Sequence, residues 1–125
     1  MTDSIRRLFE GVRAARDRDP AQSRTARLLQ AGPRKIAKKV AEEAAEVALE
    51  SAAGNRDEVV RESADLLYHL VVLWAEAGVE PGEIWAEMDR REKMYGIAEK
   101  IQKGALADKR AAPPVAVLPR RRRAR

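Results

Sequence analysis

Hydrophobic residues recur at intervals of three and four along most of the chain, which is the spacing of one face of an α-helix. No segment alternates between apolar and polar residues with the period of two that is typical of half-buried strands. The pattern therefore predicts an all-α fold. In residues 3–16, for example, the apolar positions are Ile5, Leu8, Phe9, Val12 and Ala15.

Capping and helix-breaking residues divide this pattern into about five helices. Ser23 is a good N-cap for a short second helix, and Pro33 suits the first turn of the third. Gly78 is placed to end the fourth helix. The predicted helices span approximately residues 3–16, 23–32, 33–53, 55–77 and 81–94.

The composition indicates how such helices would form a core. Alanine is abundant and the chain has two Trp, two Tyr and one Phe, so Leu, Val, Ile and Ala must supply most of the buried surface. Helices with small apolar faces often gain stability by association. We therefore expect a four-helix-type core that is completed by dimerisation.

Basic charge is concentrated at the C-terminus. Residues 104–125 hold seven basic residues and one acidic residue, which leaves 18 basic and 19 acidic residues in the rest of the chain. A near-neutral domain argues against a nucleic-acid-binding fold, although the Arg120–Arg123 run could bind a polyanion. We expect a domain over residues 1–104 and a flexible Pro- and Arg-rich extension over residues 105–125.

Several other classes of function are disfavoured. The chain contains no cysteine, which excludes disulfides, thiolate metal sites and a cysteine nucleophile. The N-terminus lacks an apolar signal core, and the longest apolar run, residues 66–75, is too short to span a bilayer. A cytoplasmic protein without a membrane partner is the expected case.

The third predicted helix carries a cluster of carboxylates. Glu42, Glu43 and Glu46 fall within an arc of about 100°, and Glu50 lies near them. Acidic residues at positions i and i+4 repel each other, so a single helix gains nothing from this arrangement. Such a stripe is often a solvated surface face, and this cluster alone does not indicate chemistry.

The fourth predicted helix strengthens the functional interpretation. Its second half is apolar nearly all round, which predicts a buried helix, yet Asp65 lies within it and Glu62 lies one turn earlier. A buried carboxylate without a cationic partner is costly. Antiparallel packing could bring Glu43, Glu46, Glu62 and Asp65 to one oxygen-only site, for which Mg²⁺ is the preferred cation.

Three other residues have both a functional and an ordinary interpretation. Lys39, and less directly Lys38, could reach a substrate phosphate from the rim of the acidic cluster, or could form salt bridges. His69 follows Asp65 by one turn. It could donate a hydrogen bond to that carboxylate, but a satisfied core histidine is the simpler interpretation.

These acidic motifs resemble a known family. Glu42-Glu43-x-x-Glu46 followed by Glu62-x-x-Asp65 is similar to the signature of the MazG-like all-α nucleoside triphosphate pyrophosphohydrolases. More narrowly, residues 5–92 resemble the phosphoribosyl-ATP pyrophosphatases of histidine biosynthesis. The supporting stretches are Ser23-x-Thr25-x-x-Leu28, Lys38-Lys39-Val40, Asn55-Arg56 and residues 62–70.

The resemblance implies a homodimer, or a dimer of dimers, of MazG-like helical bundles that hydrolyses phosphoribosyl-ATP to phosphoribosyl-AMP and pyrophosphate. It implies that Glu43, Glu46, Glu62 and Asp65 bind magnesium. Glu42 would orient the attacking water or support these ligands.

Two alternatives remain open from the sequence. One is a MazG-like enzyme that acts on canonical or damaged nucleotides. The other is a non-catalytic helical dimer that binds polyanions through its arginine-rich tail.

Overall fold

The computed structural model describes residues 2–95, and these residues form five helices without a strand. The all-α prediction is therefore confirmed for this part of the chain. The helices are α1 (Thr2–Ala15), α2 (Arg24–Ala31), α3 (Pro33–Ala52), α4 (Arg56–Ala77) and α5 (Pro81–Tyr95).

Local chemistry accounts for most of the helix boundaries. The Ser23 hydroxyl accepts a hydrogen bond from the Ala26 amide at 3.1 Å, which is the predicted N-cap of α2. Pro33 occupies the first turn of α3, where its missing N–H costs nothing. Gly78 ends α4 with a left-handed φ of 76°, a conformation that glycine adopts without strain.

Asn55 forms the turn between α3 and α4. Asn55 occupies the N-cap position of α4, but its side chain makes no capping hydrogen bond. The side-chain amide of Asn55 instead donates a hydrogen bond from Nδ2 to Glu50 Oε1 at 2.7 Å. This contact ties the end of α3 to the start of α4, and the short turn makes the two helices antiparallel neighbours.

The hydrophobic core lies in the first of two compact units, residues 1–83. Helix α3 packs most extensively against α4, and α1 and α2 both contact α4 as well. The side chains at the centre of this core are nearly inaccessible to solvent, and each is worth about 1.5–3 kcal/mol on burial. They are Phe9, Val12, Leu29, Ile36, Val71 and Val72.

The prediction that the second half of α4 is buried all round is only partly correct. Val71 and Val72 are fully buried, but Leu67 is 44% exposed and Asp65 is also exposed. The helices of unit 1 that contact α4 are α1, α2 and α3, and they leave one side of its residues 64–67 uncovered. None of the described helices is both long and apolar enough to cross a lipid bilayer.

The second unit begins at Ile84 and contains the rest of α5. In it, Glu87 accepts hydrogen bonds from Arg90 at 2.6 and 2.9 Å and from Arg91 at 2.8 Å. The predicted extension, residues 105–125, and the predicted domain limit at residue 104 lie outside the described residues.

Candidate metal centre

Carboxylates from α3 and α4 converge, as the sequence predicts. Glu43 on α3 and Glu62 and Asp65 on α4 each offer one oxygen, and these three oxygens lie within 4.8 Å of one another. Glu62 and Asp65 share a face of α4 because they are separated by one helical turn. The antiparallel turn at residues 53–55 then brings Glu43 opposite them. We call Glu43, Glu62 and Asp65 the acidic cluster.

Glu46, the fourth predicted ligand, is exposed and is not one of the three converging carboxylates, but it interacts with Glu62. A hydrogen bond with Glu46 is the largest cause that raises the pKa of Glu62 to about 7, followed by burial and the negative charges of Glu46 and Glu43. Two ionised carboxylates are both acceptors, so this hydrogen bond forms only when one carries a proton. Glu46 therefore lies close enough to Glu62 for the two carboxylates to share a proton.

Two oxygens of the cluster have no hydrogen-bond partner in the part of the chain that the structure describes. Glu43 Oε1 and Glu62 Oε1 are buried, and neither has a partner among the described residues. Leaving a buried acceptor unpaired costs about 1–3 kcal/mol, and more for an ionised group. The nearest arginine along the helix, Arg61, bonds Glu58 at 2.7 Å instead. The carboxylate oxygens of the acidic cluster are the ligand type that a hard divalent cation prefers, and a bound cation would supply the partner that two of them lack.

The position of Asp65 corrects part of the sequence argument. We predict from the sequence that Asp65 is surrounded by apolar residues, but its side chain is exposed. The cost of burial therefore applies to Glu43 and Glu62, and not to Asp65. The reason is the uncovered side of α4, which an apolar sequence pattern alone does not reveal.

Glu42 and the two candidate lysines form a separate group. Glu42 is not one of the three converging carboxylates, and it lies 4.0 Å from both Lys38 Nζ and Lys39 Nζ. All three side chains are at least 40% exposed. Both lysines therefore form salt bridges with Glu42, but at 4.0 Å these are at the limit of ion-pair distance. Both lysine side chains remain accessible to a ligand.

His69 is a buried core residue, as the simpler interpretation predicts. It is 2% exposed and packs edge-on against Tyr68, with ring centroids 4.9 Å apart. Its Nδ1 lies 2.8 Å from the backbone carbonyl oxygen of Asp65, not from the carboxylate. The hydrogen bond therefore fixes the imidazole ring to the backbone of α4 one turn earlier.

A second feature, a cavity of about 410 Å³ between α2, α3 and α4, is not evident from the sequence pattern. Arg24, Arg27 and Lys35 are not among the predicted site residues. The spacing of Lys35, Lys39 and Glu43 at i, i+4 and i+8 is the one sequence signal that could have suggested it. The cavity is lined by Arg24, Arg27, Leu28, Ala31, Lys35, Lys39 and His69.

Comparison with known proteins now identifies the family. The model of the phosphoribosyl-ATP pyrophosphohydrolase family matches residues 5–92, which include the acidic cluster and the cavity. The chain belongs to the phosphoribosyl-ATP pyrophosphohydrolase family. The resemblance noted in the sequence is thereby confirmed, and with it the classification of the chain as a hydrolase.

Similar proteins extend over nearly the whole chain. Phosphoribosyl-ATP pyrophosphatase 2 of Rhodopseudomonas palustris is 61% identical over 113 residues, which cover 90% of this chain and 86% of that protein. The protein of the same name from Bradyrhizobium diazoefficiens is 60% identical over 114 residues, covering 91% and 85%. Phosphoribosyl-ATP pyrophosphatase of Gluconobacter oxydans is 50% identical over 96 residues, covering 77% and 72%.

Proposed function

We propose that this chain hydrolyses phosphoribosyl-ATP to phosphoribosyl-AMP and pyrophosphate, using Mg²⁺ held by Glu43, Glu46, Glu62 and Asp65. The hydrolysis follows from membership of the phosphoribosyl-ATP pyrophosphohydrolase family. It makes the chain an enzyme of histidine biosynthesis. The metal and the roles of individual residues are what the proposal adds.

One observation supports the metal site most strongly. Three carboxylates from two helices approach within 4.8 Å, and two of their oxygens are buried without hydrogen-bond partners among residues 2–95. Like charges do not gather in this way without an energetic cost, which bound protons or a cation must offset. Oxygen-only ligands select Mg²⁺ over softer metals. Bound there, Mg²⁺ would neutralise charge on the substrate phosphates and acidify a nearby water.

The reaction requires little covalent chemistry from the protein. A water oxygen forms a bond to the α phosphorus, the bond from that phosphorus to the bridging oxygen breaks, and pyrophosphate leaves with the bonding electrons. The proton released by the water needs an acceptor. Glu42 either orients this water or supports the metal ligands, and its position beside Lys38 and Lys39 is compatible with both roles.

Lys38 and Lys39 supply positive charge at the rim of the acidic cluster. Lys39 lies one helical turn before Glu43, so its ammonium group can contact phosphate oxygens while the cluster holds the metal. We assign Lys39 to substrate binding, and Lys38, which is 70% exposed, to a weaker contribution.

We also propose that the chain functions as a homodimer in the cytoplasm. Three large hydrophobic side chains on α3 and α4 remain in contact with solvent: Leu49, Val60 and Leu67 are 68%, 56% and 44% exposed. Association of two chains would cover such surface. Sedimentation of the wild type and of Leu67→Glu tests this assembly, and a monomeric wild type would contradict it.

The decisive experiment for the function measures pyrophosphate release from phosphoribosyl-ATP and from a panel of ordinary nucleoside triphosphates. We expect phosphoribosyl-ATP to be preferred and turnover to stop when a chelator removes divalent cations. Asp65→Asn should lose activity, while the matched variant Asp17→Asn, an exposed aspartate outside the site, should retain it. Preference for an ordinary nucleoside triphosphate would instead favour the alternative of a MazG-like enzyme that acts on canonical or damaged nucleotides.

A further inference from the structure

The cavity between α2, α3 and α4 concentrates positive charge. Four of its seven lining residues are basic: Arg24, Arg27, Lys35 and Lys39. None of the described residues that line it is acidic. We call this feature the basic cavity. Its volume of about 410 Å³ lies within the usual range for small-molecule sites.

Most of these cations lack acidic partners. In the described part of the chain, Arg24, Arg27 and Lys35 form no ion pair, and Lys39 reaches Glu42 only at 4.0 Å. Arg27 donates to the Pro20 carbonyl oxygen at 2.7 Å, which positions the guanidinium without neutralising it. Unpaired like charges around a cavity attract an anion.

Arg24 is held in place by stacking. Its guanidinium carbon lies 5.7 Å from the centre of the Tyr68 ring, and the Tyr68 hydroxyl is 2.6 Å from Thr25 Oγ1. The ring is thus fixed to α2, the helix that carries Arg24. A pre-positioned guanidinium loses little entropy when it binds phosphate oxygens in a bidentate manner.

The basic cavity and the acidic cluster are neighbours along both α3 and α4. On α3, Lys39 precedes Glu43 by one turn, or about 6 Å, and Lys35 precedes it by two turns, or about 12 Å. On α4, His69 follows Asp65 by one turn. A molecule whose anhydride lies at the acidic cluster would therefore extend its distant end towards Lys35 and Arg24.

His69 distinguishes between the possible ligands of this cavity. A carbonyl oxygen can only accept, so His69 Nδ1 donates its proton to Asp65, and in the neutral ring Nε2 is left as an acceptor. His69 lines the same cavity as the unpaired cations, and an acceptor together with cations suits a group that has both a hydroxyl donor and a phosphate. Pyrophosphate at neutral pH has few protons to donate, whereas a pentose phosphate offers hydroxyl groups.

We propose that the basic cavity binds the sugar-phosphate end of the substrate remote from the scissile bond, with Arg24 and Lys35 as specificity-determining residues. The inference rests on the proposed function, because phosphoribosyl-ATP carries a ribose phosphate on its adenine ring in addition to the triphosphate. Ordinary nucleoside triphosphates lack this group. The cavity thereby gives the site a means of distinguishing the two kinds of substrate.

Direct binding to the full-length chain tests this proposal without requiring turnover. The probes are ribose 5-phosphate and inorganic pyrophosphate, titrated by calorimetry or NMR. Lys35 is exposed and forms no ion pair, so Lys35→Gln should fold normally, and a thermal melt verifies this. We expect it to weaken ribose 5-phosphate binding about tenfold, which is the usual loss for one charged hydrogen bond. Pyrophosphate binding should change less than twofold.

Further variants make the test specific. Arg34→Gln removes the same charge from the neighbouring position, outside the cavity lining, and should leave both affinities unchanged. Lys35→Arg should restore ribose 5-phosphate binding, and Arg24→Gln should repeat the loss. In turnover, Lys35→Gln should raise the KM for phosphoribosyl-ATP about tenfold with little change in kcat.

Several outcomes would overturn the inference. They are the absence of ribose 5-phosphate binding to the wild type, an unchanged affinity in Lys35→Gln, or an equal or greater loss of pyrophosphate affinity. The last result would assign the cavity to the leaving group. If ribose 5-phosphate binding depends on Lys35 but phosphoribosyl-ATP is not hydrolysed, the proposed function fails and the binding site stands.

Discussion

Glu62 and Glu87 are identical side chains on helices, yet their surroundings give them opposite properties. Glu87 receives hydrogen bonds from Arg90 and Arg91, which hold its pKa at about 2. Glu62 faces Glu46 and Glu43, and its pKa rises to about 7. The two arginines that pair with Glu87 lie within about one turn of it on the same helix. Among the described residues no basic side chain pairs with Glu62, since neighbouring Arg61 bonds Glu58. This need for an external cation distinguishes a candidate metal ligand from an ordinary surface acid.

The largest expected effect is a difference in catalytic activity between a variant in the acidic cluster and a variant at Glu87 on α5. Glu43→Gln should lower kcat/KM for phosphoribosyl-ATP roughly a hundredfold or more, because loss of even an indirect partner of a metal costs about 10–100-fold in affinity or activity. Glu87→Gln should leave kcat/KM within about twofold, since Glu87 belongs to an ion-pair group on α5. Pyrophosphate release measured at saturating Mg²⁺ compares the two variants. Equal losses would remove the distinction.

A second prediction concerns the stability of the metal-free protein at different pH values. The pKa of Glu62 is raised from 4.5 to about 7, so the fold favours its protonated form. Its contribution to stability is complete below about pH 4.5 and is lost as pH rises through 7. In a chelator, the Tm should therefore fall over this range, and Mg²⁺ should restore it.

Glu62→Gln provides the control for this pH dependence. The amide cannot ionise, so the Tm of the variant should vary less between pH 4.5 and 7 than that of the wild type. It should also respond less to Mg²⁺. A wild-type Tm that does not change over this range in chelator would contradict the account of Glu62.

The smallest expected effect comes from Glu87. Its pKa is lowered from 4.5 to about 2, so its contribution to stability is present above pH 4.5 and is lost as pH falls through 2. This is the opposite sign to Glu62. Because the ion pairs are exposed, the change in Tm for Glu87→Gln at neutral pH should be small. A melt series with and without Mg²⁺ measures it, and any dependence on Mg²⁺ would be unexpected.

The sequence alone predicted the helices and the convergence of three of the four candidate carboxylates, for local reasons. Ser23, Pro33 and Gly78 act within one turn of a helix end, and their effects need no knowledge of packing. The pairing of Glu43 with Glu62 and Asp65 follows from helical spacing and one short turn. These features depend on residues that are close along the chain.

Features that depend on helix packing could not be predicted in the same way. The exposure of Asp65 reflects which sides of α4 its neighbours cover. The basic cavity exists because α2 packs beside α3 and α4 and brings Arg24 and Arg27 towards Lys35. The sequence offers the charges but does not specify which of them face one another.

The central claim is that the acidic cluster binds a divalent cation, and metal titration of the chelator-treated chain tests it most directly. Calorimetry with Mg²⁺, supported by Mn²⁺ as a more tightly bound spectroscopic probe, should detect binding to the wild type and to Glu87→Gln. The double variant Glu43→Gln/Glu62→Gln should lose this binding while retaining its helical content. Equal affinity in the double variant, or no binding by the wild type, would contradict the account.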